Sequence, residues 1–143
     1  MNVYSPWDII SLSIIIVILS PLYFWYTTQN TVHIVAFFGN IVTALSVELL
    51  KKYVFSENHR PSGAKGCNLL CSSENDEGKP GMPSGHSATM GFFAAYYGIK
   101  NPLYYIYTIL MALSRNMKKC HTWPQIISGL LFGTGMGLVF KYH

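Results

Sequence analysis

Charge is what this sequence has least of. Only 11% of its residues are Asp, Glu, Lys or Arg, against about 25% in ordinary soluble domains. Half of the residues are hydrophobic, so an ordinary water-facing domain is excluded. The ten Lys and Arg residues give a net charge of +4 but never gather into a run, so no nucleic-acid partner is expected. Cysteine is scarce as well, and three residues are too few for a disulfide framework. The spacing of Cys67 and Cys71, with His59 or His86 nearby, is a weak zinc pattern because no second Cys pair follows. Free thiols or a local Cys67–Cys71 bond are the plainer readings, with Cys120 a packed thiol. Residues 2–26 have neither a basic leader nor a small-residue cleavage site, which favours a retained membrane helix over a signal peptide. There is no internal repeat and no low-complexity tract.

What is present is a series of long apolar runs. The mean hydropathy of +0.27 is modest because these runs alternate with one polar loop. A transmembrane helix requires about 20 mostly apolar residues. Residues 9–26 meet this without a charge, with Trp7, Tyr23, Trp25 and Tyr26 as interfacial anchors. A second span covers residues 32–50 and closes on Lys51 and Lys52. Residues 84–99, 103–114 and 124–140 give three further helices, the first two short for full spans. The loop over residues 51–83 is rich in Gly, Ser, Asn and charge. The expected architecture is all-α: one domain over residues 1–143, a polytopic membrane bundle of about five transmembrane helices, with its active site at one face. Gly129, Gly133 and Gly137 form overlapping G-x-x-x-G steps, and Ala88, Gly91, Ala95 and Gly98 recur at helical spacing. These two helices should be close neighbours, and the same glycine faces offer a route to a homo-oligomer.

Five spans put three polar segments on one side. They are Lys52 through Arg60-Pro61, then Pro83-Ser84-Gly85-His86-Ser87, and Ser114-Arg115 with His121 after five intervening residues. Phosphoryl transfer needs charge stabilisation on the phosphate oxygens, an in-line nucleophile and an acid for the leaving group. Arg60 and Arg115 offer planar forks, Lys52 a point charge. Ser84 and Gly85 open a helix whose free N–H groups face an anion. His86 and His121 titrate near working pH, suiting one to attack and one to protonation. Taken singly, each residue has a plain reading: interfacial anchor, helix cap or solvated histidine. Thr122 through Gln125 has the form of a capping box, which would by itself explain Gln125. Glu48 is placed to pair with Lys52. Joint occurrence, in order and on one side, favours chemistry.

The three segments together resemble the signature of the type-2 phosphatidic acid phosphatase superfamily, across roughly half the chain from Lys52 to Gln125. The resemblance implies an all-helical membrane fold and a phosphohistidine mechanism with no metal and no cofactor. His121 would be the nucleophile and His86 the acid. Lys52, Arg60 and Arg115 would bind phosphate oxygens, with hydrogen bonds from Ser84 and Gly85. Two features depart from the pattern. Seven residues rather than six separate Lys52 from Arg60, with Tyr53 in the expected place, so Lys51 is a further candidate. Gln125 stands where most members carry an Asp that orients the nucleophile. A Gln can accept a hydrogen bond from His121 but adds no negative charge. The stretch from His121 to Gln125, with Gly81 to Ser84 upstream, resembles the dolichyl-diphosphate phosphatase branch. That implies hydrolysis of a polyprenyl diphosphate in an endoplasmic-reticulum-type membrane. The alternatives are a phosphatidate or other lipid monophosphate phosphatase, and a non-catalytic lipid-binding or assembly protein. Basic residues crowd the catalytic side, which the positive-inside rule would place in the cytosol. The dolichyl branch faces the lumen, and the expectation leans that way.

Overall fold

A computed structural model of the chain describes residues 4–98 and 100–143. Within these it contains six α-helices: α1 (Pro6–Leu12), α2 (Ile14–Thr28), α3 (Thr31–Tyr53), α4 (Gly85–Tyr97), α5 (Leu103–Met117) and α6 (Trp123–Tyr142). Only isolated bridges, and no named strand, occur among the described residues. Ser13 alone separates α1 from α2, and its backbone stays in the right-handed helical region, so the two make one rod. Ser5 starts it with a capping box: its Oγ accepts from the Asp8 N–H at 3.2 Å, and Asp8 accepts from the Ser5 N–H at 2.9 Å. Gln29 ends it in the left-handed region at φ 55°. Asn30 then caps α3, its Oδ1 accepting from the Val32 N–H at 3.1 Å.

Three rods are long and apolar enough to cross a membrane: Pro6–Thr28, Thr31–Tyr53 and Trp123–Tyr142. The 13 residues of α4 and 15 of α5 reach only about 20 and 22 Å at 1.5 Å per residue. That is short of the ~30 Å hydrocarbon core. The shortfall is tolerated in α4 because protein surrounds it. Residues His86 through Ala94 are all buried, with α3, α5 and α6 packed around them. The predicted end of this helix at Ile99 lies outside the described residues. The next helix runs a turn beyond its predicted end at 114, which brings Arg115 into α5.

The closest packing is between α4 and α6, as the glycine spacing implies. A Cβ added at Gly133 would lie 1.9 Å from the Ala88 carbonyl oxygen, and one at Gly137 would lie 2.5 Å from that of Phe92. Gly91 approaches the Leu130 carbonyl in return. This contact occupies the glycine face on which self-association was expected; within α6 only Gly135 has open space beside it. One core cluster joins Ala36, Phe92, Phe93 and Tyr97, and another joins Ile14, Met90 and Met111. Ile16, Leu19, Leu45, Leu49, Ile106 and Leu131 point outward and exposed. That pattern suits lipid, which penalises polar surface rather than apolar surface.

Candidate active site

The bundle gathers the predicted polar segments at one end, around the N-terminus of α4. Ser84 is fully buried there. Its Oγ accepts from the Ser87 N–H at 3.4 Å and the Ser87 hydroxyl at 3.0 Å, leaving its own proton free to donate. Its backbone N–H donates to the Gln125 carbonyl at 3.0 Å, which ties the start of α4 to the start of α6. Gly85 follows, and a Cβ there would meet the Lys51 ammonium at 3.9 Å.

That contact puts Lys51, the further candidate, beside the start of α4 in place of Lys52. Lys51 is 9% exposed and belongs to the buried stripe Ala36, Asn40, Thr43, Val47, Lys51, which α3 turns toward its neighbours. Helical geometry rotates the next residue by about 100°. Lys52 therefore faces outward, exposed, with its ammonium 5.1 Å from the Tyr53 ring centre. Glu48 pairs with Lys51 at 2.6 Å, not with Lys52 as expected.

Arg60 comes from the loop between α3 and α4. Its segment is held by two backbone hydrogen bonds, Arg60 N–H to the Lys79 carbonyl at 2.9 Å and Gly81 N–H to the Asn58 carbonyl at 2.8 Å. Burial lowers the proton affinity of the Arg60 guanidinium, while Asp76 and Glu48 oppose the effect. Arg115, in the last turn of α5, is completely buried. Its Nη2 donates to the Cys67 carbonyl at 2.6 Å and its Nη1 to Ser11 Oγ at 3.2 Å. The chain then turns back: the N–H groups of Cys120 and His121 both bond the Arg115 carbonyl, at 3.0 and 3.3 Å. His121 is thereby carried to the buried end of α6 at 2% exposure. Burial first, then the charges of Arg115, Arg60 and Lys51, hold its pKa well below the usual imidazole value. The neighbouring Gln125 side chain opposes the shift weakly, without a hydrogen bond to Nδ1. A neutral imidazole is the form that can attack phosphorus.

Five buried nitrogen atoms here have no hydrogen-bond partner among the described residues: Arg60 Nε and Nη1, His86 Nε2, Arg115 Nε and His121 Nδ1. Orphaned buried polar atoms are rare in folded proteins because each costs free energy. They lie on a cluster of cationic and imidazole side chains at a helix N-terminus, donors of the kind that a multiply charged oxyanion would satisfy.

Gln125 makes the expected capping contact and, in place of a bond to His121 Nδ1, two that were not expected. Its Oε1 accepts from the Thr122 N–H at 3.1 Å, the capping contact at the start of α6. Its Nε2 donates to Asn58 Oδ1 at 2.6 Å and to the His59 carbonyl at 2.8 Å. It grips the loop that carries Arg60, while His121 Nδ1 remains unpartnered. An Asp could not make either donation, so Gln suits the two acceptors it faces. Asn58 has no signal in the sequence, since its role depends on a contact 67 residues distant. The cysteines also differ from expectation. Cys67 bonds Cys120, leaving Cys71 free and buried. The bond removes Cys67 from the zinc pattern considered for the loop.

No curated protein and no solved structure matches the chain. The PAP2 superfamily model matches residues 32–143. That stretch holds every residue of the cationic cluster, and it extends from the helix that supplies Lys51 to the end of α6. The chain belongs to the PAP2 superfamily, a family of membrane-helical phosphatases.

Proposed function

We propose that this chain is a lipid phosphatase that converts a polyprenyl diphosphate to the monophosphate through a phosphohistidine, without a metal. The observation that carries the reading is the set of unpartnered buried nitrogens on Arg60, His86, Arg115 and His121, backed by Lys51 and the N-terminus of α4. In the first step His121 attacks the terminal phosphorus and forms the N–P bond. The P–O bond to the departing lipid phosphate breaks, and His86 gives that oxygen its proton; burial and the charge of Arg115 hold the His86 pKa well below the ordinary imidazole value, so the charge of the bound substrate must restore that proton. In the second step water attacks the phosphohistidine, His86 takes a proton from it, and inorganic phosphate leaves. Arg60, Arg115 and Lys51 neutralise the equatorial oxygens, where charge stabilisation supplies most of the rate. A site at the end of a membrane bundle favours a substrate whose apolar portion stays in the bilayer. A diphosphate is favoured because no carboxylate partners His121 Nδ1 to strengthen it as a nucleophile, and phosphate leaves more readily than an alkoxide.

The test is phosphate release by purified protein in detergent with excess EDTA, comparing a polyprenyl diphosphate with phosphatidate. Release from the diphosphate is expected, with His121→Ala reducing it by at least about 10³-fold. Preference for phosphatidate would overturn the substrate while leaving the mechanism. No release from either lipid by folded protein would overturn the enzyme reading and favour a non-catalytic lipid-binding role.

A further inference from the structure

The two segments that flank the cationic cluster are irregular backbone, and one covalent bond joins them. Cys67 in the long loop and Cys120 before α6 are 53 residues apart in sequence and 5.4 Å apart between Cα atoms. Both are buried, at 3% and 0% exposure, and they pack with Ala64. Each end of the bond is adjacent to a residue that the proposed mechanism uses. Cys120 immediately precedes His121, and the Cys67 carbonyl accepts from Arg115 Nη2 at 2.6 Å. The Cys67 N–H is anchored in turn on Asp76 Oδ2 at 2.8 Å. On the far side, Lys118 Nζ donates to the Gly66 carbonyl at 2.9 Å.

We propose that the Cys67–Cys120 disulfide is a positioning crosslink that holds His121 and Arg115 in register for attack on the phosphate. The proposal rests on the phosphatase reading given above. Its physical basis is that His121 hangs on a short turn between α5 and α6, while Arg115, in the last turn of α5, takes its aim from outside the helix. Arg115 is aimed partly by a carbonyl in a loop that has no secondary structure of its own beyond isolated bridges. Misplacement of a reacting group by about 1 Å is worth about a hundredfold in rate. Cutting the bond frees the Cys67 carbonyl to drift from Arg115, and the His121 turn to drift from both.

Forming the bond removes two protons and two electrons from the paired thiols. An external disulfide, small-molecule or protein, accepts them and becomes two thiols. Such bonds persist in oxidising compartments and are rare where glutathione keeps thiols reduced. The working enzyme therefore presents this face to an oxidising space.

The experiment uses the full chain in detergent. Maleimide-polymer labelling under denaturing, non-reducing conditions counts free thiols, and kcat and KM are measured on a polyprenyl diphosphate. One free thiol, Cys71, is expected in the active protein. Reduction should lower kcat between about tenfold and a hundredfold with size-exclusion profile and tryptophan fluorescence unchanged, and reoxidation with glutathione disulfide should restore it. The Cys67→Ser/Cys120→Ser variant should match the reduced protein and ignore reductant, and Cys71→Ser should match wild type throughout. If the double variant fails to fold, the reduced and reoxidised wild type makes the same comparison. Three free thiols in active protein, or an unchanged kcat after complete reduction, would overturn the positioning role alone. Absence of phosphate release from oxidised, folded wild type would overturn the phosphatase reading and the positioning role with it.

Discussion

At the scale of single residues, two adjacent lysines have opposite fates because a helix turns by about 100° between them. Lys51 continues the buried stripe of α3 and faces the N-terminus of α4, whereas Lys52 lies on the exposed side. Lys51→Met should therefore lower kcat/KM on the lipid diphosphate by about a hundredfold, the usual scale for losing one preorganised charge-stabilising group. Lys52→Met should stay within about twofold of wild type, a difference of less than about 0.5 kcal/mol. Equal losses in the two variants would contradict the geometry. The periodicity of α3 is legible in the sequence, and carrying it through to the last turn of the helix selects Lys51. His121 gives a pH prediction with a definite sign. Its pKa is lowered in the folded state by burial and by Arg115, Arg60 and Lys51. The unfolded chain therefore binds a proton that the folded chain refuses. This contribution to stability is present above the ordinary histidine value of about 6.5 and is lost as pH falls below it. Apparent Tm measured from pH 7.5 to 5 should fall less steeply for His121→Asn than for wild type, and parallel curves would contradict the assignment.

At the scale of elements, the site depends on how closely α4 approaches α6. Helices in lipid gain little from apolar burial against each other, so contact relies on close backbone packing. Gly133 permits it, because a Cβ there would overlap the Ala88 carbonyl at 1.9 Å, and a carbonyl inside a helix cannot rotate away. Gly133→Val should destabilise by about 3 kcal/mol or more, the upper end for overpacking, and should lower activity in parallel. Gly135 has nothing within 4 Å; Gly135→Val is the control and should change stability by less than about 0.5 kcal/mol. Apparent Tm in one detergent checks both. The same separation of α4 from α6 would move the Ser84 N–H off the Gln125 carbonyl, which explains why packing in mid-membrane governs a site at the membrane face. The glycine register showed that these two helices meet. It did not show that the meeting would occupy the face expected to serve self-association.

At the scale of the molecule, three distant segments of chain make one cationic cluster, and their surroundings are stapled from three directions. Lys118 pairs with Asp8 at 2.6 Å, linking the His121 turn to the first rod. Gln125 bridges to Asn58 and His59, linking α6 to the Arg60 loop. Cys67 and Cys120 supply the covalent link. This assembly also bears on orientation. The excess of basic residues on that side is loaded by Lys51, Arg60 and Arg115, which the proposed phosphate site would retain, and by Lys118, which the loop contacts retain. Their number is thus a poor guide to the positive-inside rule, which concerns flanking charge free to stay in the cytosol. The crosslink is consistent with a face in an oxidising space.

The sequence by itself determined the helical membrane architecture, the glycine faces and the residues Arg60, Ser84, Gly85, His86, Arg115 and His121 as a candidate anion site. Those features are local: apolar length, periodicity of 3.6 and short runs of fixed spacing are all encoded within a few turns of chain. Tertiary structure alone decided that Gln125 grips Asn58 rather than His121, that Cys120 bonds Cys67, and that Arg115 is aimed by the Cys67 carbonyl. Each of these joins residues between 48 and 67 positions apart. A hydrogen bond or disulfide demands placement to within a fraction of an ångström, and only the packed bundle delivers that across an irregular loop.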